Sequence, residues 1–298
     1  MQDTPQRAVS LYLIFTVLFS SVIWALVIWS GHLGMAFGTM ITAVMWCPAM
    51  AAMVSCKLLG RRVRSLAWRW PEPRCIAAAY FLPLVYAAVA YGAVWALRLG
   101  GWNSDLVRLV AERFGLRGMP PWGSFILWLL FTATATFIAR LSTALGEEIG
   151  WRGFLVPELA KTTSFTNLSL LSGIIWAAWH SPLLLFADYN AGTNRWYAMI
   201  CFTVMIVSGS FIFAWLRLKS GSLWTPAVLH ASHNLFVQTV FDNLMRDTGK
   251  TLWYTTEFGA ALATVNVAFA MYFWTRRGEV EPMLKGSDLA ASTVDKSP

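Results

Sequence analysis

Apolar residues in this chain gather into runs of about twenty or more, the length a helix rising 1.5 Å per residue needs to cross a hydrocarbon layer roughly 30 Å thick. Runs bounded by charge, Pro, Gly or Trp fall near 8–30, 35–58, 75–97, 122–145, 167–187, 197–216, 222–241 and 257–275. They predict an all-α, polytopic helical membrane protein with about eight transmembrane helices. Rings cluster near several of the predicted ends, as in Trp68/Trp70, Trp122/Trp128 and Trp196/Tyr197, where amphipathic aromatics favour the headgroup boundary. The first run, from about Ala8 to Ser30, is too long for a signal-peptide core and has no small-x-small cleavage site, so it reads as an uncleaved first span.

Composition agrees with the pattern. The chain is 57% hydrophobic and 13% charged, against roughly 25% charged in ordinary soluble domains. Its net charge of +8 lies in short loops between apolar runs, so the membrane surface, not nucleic acid, is the expected partner of that charge. Cys47, Cys56, Cys75 and Cys201 have no CxxC spacing and suggest neither a disulfide framework nor a zinc knuckle. Lys57, Arg61, Arg62, Arg64, Arg69 and Arg74 crowd the segment between spans two and three, which the positive-inside rule assigns to the cytoplasm. Eight spans then put both termini there too, in agreement with Arg276 and Arg277 after the last span. Arg98, Arg108, Arg113 and Arg117 run against this count; Leu106, Val107, Val110 and Phe114 among them suit an amphipathic helix on the surface. The expected organisation is N-terminal spans with a basic loop and a surface segment over 1–121, a core over 122–241, a last span within 242–278 and a disordered cytoplasmic tail over 279–298.

Ionisable groups inside a bilayer are costly, so each is a functional candidate with a partner to be named. They are Arg140, Glu147 and Glu148 at the end of span four, Arg152 just beyond, His180 in span five, and His230, His233 and Asn234 in span seven. Glu148 and Arg152 stand four apart and can pair on one helix face, leaving Glu147, about 100° away, free to face something else. Trp176 and His180, and His230 and Asn234, are also four apart, each pair sharing a face. Singly, these read as solvated helix-end charges or interhelical hydrogen bonds. Together they offer a carboxylate that can take a proton from water, and imidazoles and an amide that can donate to an oxyanion. Glu and His are also zinc ligands, although no HExxH helix is present.

The three strings, Glu147-Glu148-x-x-x-Arg152, Trp176-x-x-x-His180 and His230-x-x-x-Asn234, resemble in order the EExxxR, aromatic-xxx-His and HxxxN motifs of the CPBP family of intramembrane proteases, which includes the CAAX prenyl endopeptidases and the Abi-type proteins. The resemblance covers about Trp122 to Phe241 and implies a helical membrane endopeptidase core there, with its site in a conical cavity open to the cytoplasm. It implies Glu147 as the base, His180 as its partner, His230 and Asn234 as oxyanion donors, and Glu148 and Arg152 as orienting residues. Zinc stays open as a cofactor, with Glu147, His180 and His230 as its ligands. Trp176 stands where the family commonly has Phe, and His233 is a rival to His230. The implied substrate is a membrane-embedded or lipid-anchored peptide, cut by a protein of the bacterial cytoplasmic membrane. The alternatives are a non-catalytic scaffold or immunity factor that binds a peptide or membrane partner through the same cavity, and a transporter that uses the Glu/His set as a proton relay.

Overall fold

Pro5, Pro73 and Pro121 each open a long apolar helix at the position where a missing N–H costs no hydrogen bond. Asn194 caps another by accepting from the Trp196 and Tyr197 amides, and Gly221, at φ +65°, closes that helix in the left-handed region. A computed structural model describes residues 3–30, 37–116 and 118–285, the side chains of 37, 38 and 285 excepted. The helices are α1 (Pro5–Ser30), α2 (Phe37–Leu58), α3 (Pro73–Ala96), α4 (Asp105–Arg113), α5 (Pro121–Ala160), α6 (Phe165–Phe186), α7 (Arg195–Ser220), α8 (224–244), α9 (Ala260–Thr275) and α10 (Glu281–Lys285). The fold class is all-α and polytopic. The sole sheet among the described residues is a two-residue antiparallel pairing of β1 (Gly101–Trp102) with β2 (Met245–Arg246).

Six of these helices, α1, α2, α3, α5, α6 and α7, are long and apolar enough to cross a membrane. The expected count of eight is not reached on that measure. α9 has 16 residues, and α8 carries His230, His233, Asn234 and Gln238 in its middle. Span four, expected over 122–145, continues without a break to Ala160 as a run of 40 residues. The extension is possible because 149–160 bury against other helices: Trp151, Phe154, Leu155 and Val156 are all in the core. The surface segment holds the amphipathic α4, with Leu106 and Val110 buried. Of the expected tail, 281–285 form α10, and 286–298 lie outside the described residues.

The helices run between two ends. At the first, Arg61 bridges Asp3 and Glu158, each at 2.8 Å. The Leu223 amide donates to the Ala67 carbonyl at 3.0 Å, and Lys219 pairs with Glu279 at 2.9 Å. Hydrogen bonds from Arg276 and Lys219 hold the half-buried Glu279 below the usual carboxylate range. This is the end that carries Lys57 to Arg74. At the second end, β1 pairs with β2, Thr251 donates to the Leu99 carbonyl at 2.9 Å, and the Thr256 amide donates to the Tyr91 hydroxyl at 3.1 Å.

Small residues let α2 approach the glutamate pair. A Cβ on Gly146 would come 2.8 Å from the Met45 carbonyl oxygen, and one on Gly150 would come 2.5 Å from both the Pro48 Cβ and the Tyr12 hydroxyl. Four positions apart, the two glycines make a close-packing stripe beside Glu147 and Glu148. Gly150→Ala is therefore expected to destabilise the protein by about 1–3 kcal/mol through overpacking. Gly92→Ala, whose Cβ meets nothing within 4 Å, is expected to be neutral; thermal unfolding in detergent compares the two.

Candidate active site

Glu147 and Glu148 are the last residues of regular α-helix before a wider π-helical stretch, Ile149–Leu155, and Asn234 opens a second one, Asn234–Phe241. Such turns recur at functional sites because they re-aim side chains without ending the helix. Glu148 and Arg152 pair at 2.9 Å, as their spacing predicts, and their side chains are 0% and 1% exposed. The Arg152 guanidinium lies between two rings, 4.1 Å from the centres of both Trp176 and Phe213, and the Arg152 carbonyl accepts from Arg217 Nε at 2.8 Å. A buried cation is thus matched by one carboxylate and two ring faces.

Glu147 points elsewhere. Its Oε2 accepts from the indole N–H of Trp176 at 2.7 Å and of Trp151 at 3.2 Å. Its Oε1 takes no hydrogen bond among the described residues. Trp176 is therefore more than an aromatic in the place of Phe: its N–H fixes the carboxylate, and its ring stacks edge-on to His180 (centres 5.9 Å apart) and His230 (5.4 Å).

The imidazoles have definite proton positions. His180 Nδ1 lies 2.9 Å from the Trp176 carbonyl, which can only accept, so Nδ1 carries the proton and Nε2 of the neutral ring is an acceptor. His230 Nδ1 lies 2.9 Å from Glu148 Oε1, a carboxylate oxygen, with the same consequence. His230 can donate to an oxyanion from Nε2 only when it holds both protons. The Asn234 amide makes no side-chain hydrogen bond among the described residues and is free to donate. His233, the expected rival, is committed at both nitrogens, to Tyr86 Oη at 2.6 Å and to Glu257 Oε1 at 2.8 Å. It braces the site instead of offering a donor.

Glu147, His180, His230 and Asn234 line one cavity of ≈ 470 Å³, with Trp176 among its walls. The cavity also takes in Asp188, Tyr189 and Ala191, from the loop after α6, and Thr256, Glu257 and Phe258, from the loop before α9. Both loops belong to the second end, whereas no residue of the basic 59–72 loop lines it. The cavity thus extends towards the end opposite the basic loops. Motif spacing is blind to this, because it places residues on helix faces without saying which end of the bundle is hollow.

Several wall residues escaped the sequence reading. Glu257 accepts from Gln238 at 2.9 Å and from Tyr189 at 3.5 Å besides its bond to His233, and Asp242 accepts from Tyr91. A signal existed for Glu257, a carboxylate at the very start of the last apolar run. Arg140, left without a role, reaches Thr239 Oγ1 at 3.1 Å and lines the same cavity. Glu147, His180 and His230 do not make a zinc set here: among the described residues no three His, Cys, Asp or Glu side chains group as metal ligands, and the Glu148 carboxylate is taken by Arg152 and His230.

Comparison with known proteins bears on the same stretch. Residues 121–236 match the family model of the type II CAAX prenyl endopeptidase Rce1-like proteins. A curated relative, CAAX prenyl protease 2 of Methanococcus maripaludis, is 33% identical over 117 residues, which are 37% of this chain and 38% of the relative. The alignment thus spans well under half of either protein. Residues 121–236 are therefore similar to the type II CAAX prenyl endopeptidase Rce1-like proteins, in agreement with the resemblance that the three motifs carry.

Proposed function

We propose that the protein is an intramembrane endopeptidase that hydrolyses a peptide bond in a membrane-associated or lipid-anchored substrate. The observation that carries this reading is that Glu147, His180, His230 and Asn234 face one mostly apolar cavity, with Glu147 held by two indole donors on one oxygen only. A water bound there finds two acceptors, Glu147 Oε1 and His180 Nε2. Hydrogen bonds to both would turn its lone pair towards a substrate carbonyl carbon. As the water attacks, Glu147 takes its proton and later hands it to the leaving amine. The carbonyl oxygen, becoming an oxyanion, is met by the Asn234 amide and by a doubly protonated His230. Glu148 and Arg152 orient that histidine. The mostly apolar cavity wall strengthens each of these contacts. No step needs a metal.

The test is cleavage profiling of membrane peptides by the purified chain against Glu147→Gln. Products that disappear in the variant support a peptidase, and identical profiles leave the cavity as a binding site.

The positive-inside count further places the basic end and both termini in the cytoplasm, so the cavity mouth faces the other side of the membrane and the cleaved segment is presented there. In a Cys75→Ser background, which removes the one cysteine that is not buried, a membrane-impermeant maleimide is expected to label Ala191→Cys in intact cells and Arg64→Cys only after lysis. The reverse order would put the mouth on the cytoplasmic side.

A further inference from the structure

On the outer face of the bundle, α7 and α9 enclose a groove of ≈ 490 Å³ that shares no wall residue with the cavity of Glu147. Its floor is the buried Ser208 and Ala270, and its rims are the exposed Val204, Val267, Met271 and Trp274. Neither hydroxyl in it is offered outward. Ser208 donates to the carbonyls of Val204 at 2.5 Å and Met205 at 3.0 Å, and Thr203 turns to Met199 Sδ at 3.7 Å. A groove whose few polar groups are spent on their own helix suits hydrocarbon, not a peptide backbone, whose N–H and C=O groups would find no partner there.

Hydrocarbon is what any outward face of a membrane protein meets; one end of this groove adds a charge. α7 and α9 both run from the second end to the basic end. Trp274 closes the groove on the basic side, its indole N–H held by Thr166 Oγ1 at 3.0 Å. The Arg277 guanidinium lies 4.1 Å from the centre of that ring. One of its terminal nitrogens donates to the Trp274 carbonyl at 3.0 Å, and its Nε stands 3.9 Å from Glu281, too far for a hydrogen bond. Arg276 beside it is taken by Glu279 and Tyr272, whereas Arg277 has donors to spare. From Thr203 to Phe211 the α7 wall is about 12 Å long at 1.5 Å per residue, close to the roughly 15 Å that one leaflet of a 30 Å hydrocarbon layer offers.

We propose that this groove binds one anionic phospholipid of the leaflet at the basic end, with an acyl chain along α7 and α9 and the phosphate on Arg277. A zwitterionic lipid fills the same groove but brings its own cation near Arg277, and so gains less. The lipid stands outside the cavity, so its binding does not depend on turnover.

Native mass spectrometry tests this on the full-length protein, delipidated in detergent and titrated with dioleoyl phosphatidylglycerol or dioleoyl phosphatidylcholine. The first phosphatidylglycerol is expected to bind at least about fivefold more tightly than phosphatidylcholine, the gain from a single cation beside an anionic headgroup. Arg277→Gln should bring phosphatidylglycerol down to the level of phosphatidylcholine. Val267→Trp, which fills the groove from the α9 rim, should weaken both lipids, and Val204→Trp should do the same from the α7 rim. An unchanged melting temperature shows that each variant is folded. Equal binding of the two lipids, a preference that survives Arg277→Gln, or binding that neither tryptophan weakens overturns the assignment. So does a dimer of the delipidated protein that Val267→Trp breaks, since a second copy would then be the occupant.

Discussion

Arg152→Ala is expected to destabilise the fold by about 3–5 kcal/mol, because it strands a carboxylate where water cannot reach. Glu148 is 0% exposed, and its Oε1 has two partners, Arg152 and His230. Removing Arg152 leaves the negative charge with the histidine alone and opens the space between Trp176 and Phe213 that the guanidinium fills. Glu148→Ala should cost a similar amount, by stranding the cation. Replacing both together, Glu148→Leu with Arg152→Met, should cost less than the sum of the singles, since no buried charge is left unpaired. Thermal unfolding in detergent compares these three variants with the wild type. A loss below about 1 kcal/mol for either single change would mean that the pair is solvated and contributes little.

Glu147→Gln should have the opposite profile, with the fold intact and the chemistry lost. The amide oxygen can still accept the Trp176 and Trp151 protons, so packing and the indole contacts persist. The proton acceptor facing the cavity is gone. Loss of a positioned general base lowers the rate by about 10²–10⁴-fold, and Asn234→Ala, which removes an oxyanion donor, should lower it by about 10²–10³-fold. In both variants the melting temperature should stay within a few degrees of the wild type. A Glu147→Gln protein that unfolds would place this residue with Glu148 among the structural groups.

The membrane fold was legible because a bilayer imposes a length on every crossing element, and apolar runs such as 8–30 and 75–97 meet it. Pairings within one helix were legible for a similar reason: four residues put Glu148 under Arg152 and Trp176 under His180 whatever the surroundings. Contacts between helices were not. Nothing in the spacing says that Glu148 also receives His230, that His233 is spent on Tyr86 and Glu257, or that the indole of Trp176 donates to Glu147. Each depends on the close approach of separate elements, which small residues such as Gly146 and Gly150 permit without announcing the partner. Which end of the bundle is hollow was not legible either. It is set by the loops 187–191 and 256–258, whose sequences look like ordinary connections.

The account stands or falls on Glu147 and His180 serving the same water. Cleavage rates of the wild type, Glu147→Gln, His180→Ala and the double variant test this most directly. Groups that act as a unit are not additive, so the double variant is expected to be about as slow as the slower single one. A double variant slowed by the full product of the two separate losses would show that the residues act independently, and the shared site would have to be abandoned.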